Sequence, residues 1–286
     1  MLDLEEAFAR LSRWRAHGNP VRDSLAQNLT PPLNHAPPSR WIDGVPRPGW
    51  TVRWPPLVRK LLDSYPDRFE NLAERLTRLA YDESTKVVLF TSCHRAEGRT
   101  TLLLALAHTL ASRSQTRTLL VDADFAGPML ARSLGLVPRQ GLEELACGTA
   151  RWSDTQLPVA GSSLTLLPLR APVPAPRNMF SGPGWPCLMA RARRGFDLVL
   201  LDGGPLFAGL AASLLKRTID GAILVHHQGL TANRSILRAR EVLDANGILL
   251  LGLAETFAEP SRPVRERSPD VLATLRPYGR SALPHR

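Results

Sequence analysis

An α/β fold, with a parallel β-sheet flanked by helices, is predicted by two features of the sequence. From residue 86 onward, short apolar runs alternate with amphipathic stretches at helical spacing, the pattern of strands joined by helical crossovers. Two of those runs also end in aspartate, and one runs into a glycine-containing turn that opens a long apolar helix.

Six strands are readable: 87–91, 118–122, 164–169, 197–202, 221–225 and 248–253. Helices are predicted at 99–113, 128–134, 141–147, 186–194, 206–217 and 231–246. Ahead of them, Leu61, Leu62, Phe69, Leu72, Leu76 and Leu79 keep helical spacing, with Pro66 dividing two helices. The chain is read as three parts. Residues 1–56 are a short amphipathic helix followed by a Pro-rich linker, 57–258 a nucleotide-binding domain, and 259–286 a Pro/Arg-rich tail expected to be disordered.

With 286 residues and 44% hydrophobic content, the chain can fill a sizeable core. The net charge of +10 is spread over the N-terminal segment, the region near residue 190 and the tail, without the dense clustering of a nucleic-acid footprint. A nucleic-acid partner is therefore not expected. Cys93, Cys147 and Cys187 are odd in number and unrelated in spacing, which excludes a disulfide framework and a zinc site and implies a reducing compartment. No window reaches the roughly 18 apolar residues of a spanning helix, and a cytoplasmic protein is expected, reaching the inner face of a membrane only through a partner.

The segment KVVLFTSCHRAEGRTTLLLALAHTLA carries the chemistry. A buried strand delivers the chain to the sheet's carboxyl edge, a tight loop turns its amides inward, and a helix N-terminus meets phosphate. The loop residues Cys93, His94, Arg95, Ala96, Glu97, Gly98, Arg99, Thr100 and Thr101 are the expected ATP-binding set. Gly98 allows close backbone approach, and the Thr100 hydroxyl stands where a P-loop Ser or Thr binds Mg²⁺. Two positions depart from the usual spelling: Cys93 replaces the first Gly and Arg99 the phosphate-binding Lys, so binding is expected to outlast catalysis.

LLVDAD places Asp122 and Asp124 at the end of one strand, and LVLLD places Asp202 at the end of another. In a parallel sheet these ends open onto one edge. Asp122 and Arg99 are the expected catalytic residues, and Thr100, Asp122, Asp124 and Asp202 the expected magnesium environment. His94, His226 and His227 are not expected to bind metal, since adjacent histidines on an extended chain point to opposite faces. Cys93 beside a helix N-terminus reads either as a redox-sensitive thiol or as a small residue in place of Gly. Trp41, Trp50 and Trp54 among the prolines read as a segment docking on a partner or on the domain itself.

These motifs resemble the cytoplasmic domain of the bacterial tyrosine kinases of capsule and exopolysaccharide synthesis, within the MinD/ParA-like P-loop NTPase class. Thr91-Ser92 with Glu97-Gly98-Arg99-Thr100-Thr101 is similar to their Walker A, LLVDADFAGP to their second acidic motif (Walker A′) and FDLVLLDGGP to their Walker B, and the resemblance spans about residues 57–257. It implies ATP and Mg²⁺ as cofactors, a membrane-bound polysaccharide co-polymerase or activator as partner, and a homo-oligomer. Three departures shape the expectation. Only Tyr65, Tyr81 and Tyr278 are present, against a tyrosine-rich tail in the family. Leu72 replaces the Glu of a ring-forming Glu-x-x-Arg-x-x-Arg motif whose arginines match Arg75 and Arg78, and His94 stands where MinD and ParA proteins carry an extra Lys. The expected function is an ATP/Mg-binding protein with weak or lost kinase activity, a pseudoenzyme. The alternatives are a non-catalytic, nucleotide-dependent interaction module and a ParA-like partitioning ATPase.

Overall fold

The computed structural model describes residues 49–82, 85–113, 115–180, 184–207 and 218–257, together with two short strands, β1 (Trp41–Ile42) and β2 (Val45–Pro46). The expectations for the N-terminal helix, for most of helix 206–217 and for the tail lie outside these residues. The elements that follow are α1 (Pro56–Ser64), α2 (Pro66–Asp82), β3 (Val87–Ser92), α3 (Arg99–Arg113), β4 (Thr118–Asp122), α4 (Leu130–Ser133), α5 (Leu142–Ala146) and α6 (Trp152–Thr155). Then come β5 (Leu157–Pro158), β6 (Leu164–Leu167), α7 (Arg177–Phe180), α8 (Gly184–Gly195), β7 (Leu198–Pro205), β8 (Gly221–His227), α9 (Asn233–Ala245) and β9 (Leu250–Thr256).

Seven strands form one sheet in the order β5-β6-β4-β7-β3-β8-β9, parallel throughout except for the antiparallel edge pair β5 and β6. The inner strands β3, β4 and β7 are buried along their whole length, and most of their residues are apolar because helices cover both faces. Val88 and Phe90 of β3, Leu120 of β4, Leu198 and Leu200 of β7, and Ile223 and Val225 of β8 pack against α1, α2 and α3. Their alternates Val87, Leu89, Leu119, Val121, Val199, Leu201, Ala222 and Leu224 pack on the other face against α5, α8 and α9. That division follows from the two-residue period of a strand.

The segment after Gly49 lies on the domain itself. Trp50 bridges Val159 beside β5, donating its amide to the Pro158 carbonyl at 2.6 Å and accepting from Ala160 at 3.0 Å. Trp54 reaches His108 of α3 edge-on, with ring centroids 4.8 Å apart. A Cβ on Gly49 would stand 2.4 Å from the Ala160 Cα, so only glycine permits this approach. The strap covers a short sheet edge that would otherwise expose unpaired backbone groups.

Candidate functional site

β3 lies inside the sheet, between β7 and β8, so the loop after it opens on the carboxyl edge between the ends of those two strands. Such a position is where open α/β sheets hold ligands. The loop is fixed to its neighbours by short bonds: the Thr91 hydroxyl donates to the Gly204 carbonyl at 2.9 Å, and the Leu206 amide to the Ser92 carbonyl at 2.6 Å. Ala96 and Gly98 take left-handed backbone conformations, with φ of 63° and 79°. This geometry turns successive amides to one side, as an anion-binding nest requires. The first amides of α3, at Arg99, Thr100 and Thr101, have no intrahelical partner, and the helix is long enough for its positive end to matter.

Arg99, Asp124 and Asp202 come together below the loop. Arg99 donates from Nε to Asp202 Oδ1, from one terminal nitrogen to Asp124 Oδ2 at 3.0 Å, and from the other to the Ser92 hydroxyl at 3.2 Å. The Thr100 hydroxyl donates to the second oxygen of Asp202 at 2.7 Å. Arg95, half exposed, reaches Asp124 at 3.4 Å. The Arg99, Asp124 and Asp202 side chains are 9%, 5% and 1% exposed, so this is a buried ionic cluster. Burial alone would lower the Arg99 pKa, but Asp202 and then Asp124 outweigh it and hold the guanidinium above its usual value.

The expected magnesium set of Thr100, Asp122, Asp124 and Asp202 stands in a different arrangement. Asp122 is paired in register with Asp202 across β4 and β7, yet its carboxylate accepts amides at the start of α4, from Met129 and Leu130 at 3.0 Å, and from Asp124 at 3.3 Å. Burial and then the Asp202 charge push its pKa up from 3.8 to about 8. Both Asp202 oxygens and both Asp124 oxygens already carry donors, and among the described residues no group of three His, Cys, Asp or Glu could hold a metal ion. The loop thus fits nucleotide phosphates, whereas the acidic groups beside it, in this arrangement, do not fit a divalent ion.

Cys93 is fully buried, and burial followed by the Glu97 charge pushes its thiol up to about 12. The redox-sensitive reading of Cys93 is therefore corrected: desolvation overrides the helix N-terminus, and the residue is a small core side chain. His94, Arg95 and Ala96 are exposed at the loop's rim, and Thr101 is half buried in α3. His227 stacks on Phe257 with ring centroids 4.2 Å apart, while His94 lies edge-on to Phe207.

Glu97 has a role that the sequence reading missed. Its buried carboxylate accepts the His94 amide at 2.9 Å and the Thr231 hydroxyl, and its carbonyl accepts the Thr256 hydroxyl at 2.7 Å. The loop is thereby tied to the segments after β8 and at the end of β9. Ser92, quoted with the motif but given no role, supplies the third bond to Arg99. No local signal marks Thr231 or Thr256, whose partner lies far away in sequence.

No protein-family model matches the chain. Tyrosine-protein kinase CpsD of Streptococcus pneumoniae is 26% identical over 172 residues, 60% of this chain and 75% of that protein. Tyrosine-protein kinase YwqD of Bacillus subtilis is 25% identical over 186 residues, 65% of this chain and 78% of that protein. Succinoglycan biosynthesis transport protein ExoP of Rhizobium meliloti is 26% identical over 60% of this chain and 22% of its own length. The chain is a divergent relative of the bacterial tyrosine kinases. The kinase domain of the Escherichia coli tyrosine kinase ETK superposes with a TM-score of 0.61 at 19% identity, covering 71% of this chain and 83% of that one. The VpsO kinase domain gives 0.60 at 25%, covering 69% and 99%. The Pyrococcus furiosus cell division ATPase MinD gives 0.50 at 22%, covering 59% and 70%, a likeness of fold. In the kinase-like domain, Leu72 is buried in the core beneath α2 while Arg75 and Arg78 are exposed, with Arg78 paired to Glu74 at 2.9 Å.

Proposed function

We propose that this protein binds ATP or ADP at the β3–α3 loop and acts in exopolysaccharide or capsule synthesis with weak or lost kinase activity. The observation that carries the reading is the Arg99 side chain, which stands at the position of the phosphate-binding lysine but is spent on Asp124 and Asp202. Phosphoryl transfer is catalysed almost wholly by positioned charge, so a cation held below the loop cannot follow the transferring group. Loop amides and the start of α3 remain to hold phosphates.

Asp122, the expected base, has its carboxylate engaged by three backbone amides. Few tyrosines are available for autophosphorylation, since the whole chain contains Tyr65, Tyr81 and Tyr278 alone. A cytoplasmic position beside a membrane-bound polysaccharide co-polymerase or activator belongs to this reading, which draws support from the similarity to the succinoglycan biosynthesis transport protein ExoP; among the described residues no helix is long and apolar enough to cross a membrane. The second reading, a nucleotide-dependent interaction module with no turnover, draws on the same neutralised Arg99. Following γ-phosphate loss from ATP and phosphate incorporation into tyrosine separates the two readings: slow transfer marks a weak kinase, and binding with no turnover marks the module.

A further inference from the structure

We infer that the Arg99 guanidinium is this chain's own cation at the nucleotide site, so that the site takes the phosphates of a nucleoside di- or triphosphate without a divalent metal ion. The inference rests on the nucleotide-binding reading above. Asp124, Asp202 and Thr100 are the groups that would serve a magnesium ion, and here they are already joined. Arg99 donates to Asp202 Oδ1 and Asp124 Oδ2, and Thr100 fills the remaining oxygen of Asp202. Magnesium demands near-ideal octahedral oxygen geometry at about 2.0–2.1 Å, which cannot be met while a guanidinium lies between the two carboxylates.

The residue type matters. An ammonium is a compact point charge on a flexible stem, free to leave for phosphate, whereas the planar guanidinium fork matches carboxylate geometry and can hold both acids and the Ser92 hydroxyl together. Withdrawing Arg99 toward a nucleotide would leave Asp202, 1% exposed, without a cation and Asp124 with the half-exposed Arg95 alone. Nor does any other group call for a cation: no buried side-chain nitrogen or oxygen among the described residues lacks a hydrogen-bond partner. The anion's charge is met instead by the loop amides and by the N-terminus of α3.

The test is calorimetric titration of the full chain with ADP and with ATP, in EDTA and in magnesium, repeated on Arg99→Lys after a thermal melt has checked its fold. Manganese bound in the presence of ADP, read by electron paramagnetic resonance, reports the ion directly. The wild-type affinity is expected to change by less than about threefold between the two buffers, with no bound manganese, while Arg99→Lys gains about tenfold or more with magnesium and retains manganese. A wild type that gains tenfold or more with magnesium and retains manganese overturns the inference and leaves the nucleotide reading intact. Absence of nucleotide binding in both buffers removes both. The wild-type arms decide the matter whether or not the lysine variant folds.

Discussion

Arg99 is the side chain on which most local electrostatics turns. Replacing it by Met keeps much of the volume but leaves Asp202 buried without its cation and Asp124 with Arg95 alone, and the expected loss is about 3–5 kcal/mol of stability in urea denaturation. A loss under about 1 kcal/mol would mean that the cluster is solvated. Asp122 yields a pH prediction. Its folded pKa is raised from 3.8 to about 8, so its contribution to stability is fully present below 3.8 and is lost as pH rises through 8. Asp122→Asn keeps an oxygen for the Met129 and Leu130 amides but has no proton to lose, so its stability should decline less than the wild type's across that window. Parallel curves from pH 4 to pH 8 would refute the shift. Thiol labelling at pH 8 should modify Cys147 and Cys187, both exposed, and spare Cys93 until the chain unfolds. At this scale the sequence was readable wherever the reason was local. Asp122, Asp124 and Asp202 follow apolar runs, and Asp122 does end its strand, while Asp124 lies just beyond β4 and Asp202 within β7. What each carboxylate bonds was not readable, because Arg99 meets Asp202 across 103 residues and Glu97 meets Thr231 across 134.

Strand and helix positions were legible because burial writes itself into a period. The expected bounds of β4 and α3 agree with the structure residue for residue, since an uninterrupted apolar run and a glycine-led start leave little choice. β7 runs on past Asp202 to Pro205, where pairing with β3 continues through an irregularity in register that no local pattern announces. The Trp-containing segment left two docking surfaces open, and Trp50 and Trp54 lie against the chain's own sheet edge and α3. Periodicity could not choose between them, because a single backbone bridge depends on Gly49 passing Ala160. Gly49→Ala should therefore release the strap, with faster hydrogen exchange at the Trp50 and Ala160 amides and unchanged protection in β3 and β4. Slow exchange at both amides would show that the backbone can shift to accept the methyl group.

On the scale of the whole molecule, a parallel sheet with both faces covered brings the loop, two acidic strand ends and the segments after β8 and β9 to one edge. That convergence gathers residues spread from Ser92 to Thr256 at the proposed nucleotide site. The fold accounts for the shape of the edge, while the proposed loss of kinase activity rests on Arg99. The central claim is that nucleotide binding has been kept while phosphoryl transfer has been weakened or lost through the engagement of Arg99. Its most direct test is ATP titration in a calorimeter with hydrolysis followed in the same samples, for the wild type and for Arg99→Lys. The account predicts that the wild type binds with little or no turnover and that the lysine variant hydrolyses faster. Rapid turnover by the wild type, or failure of both to bind, would contradict it.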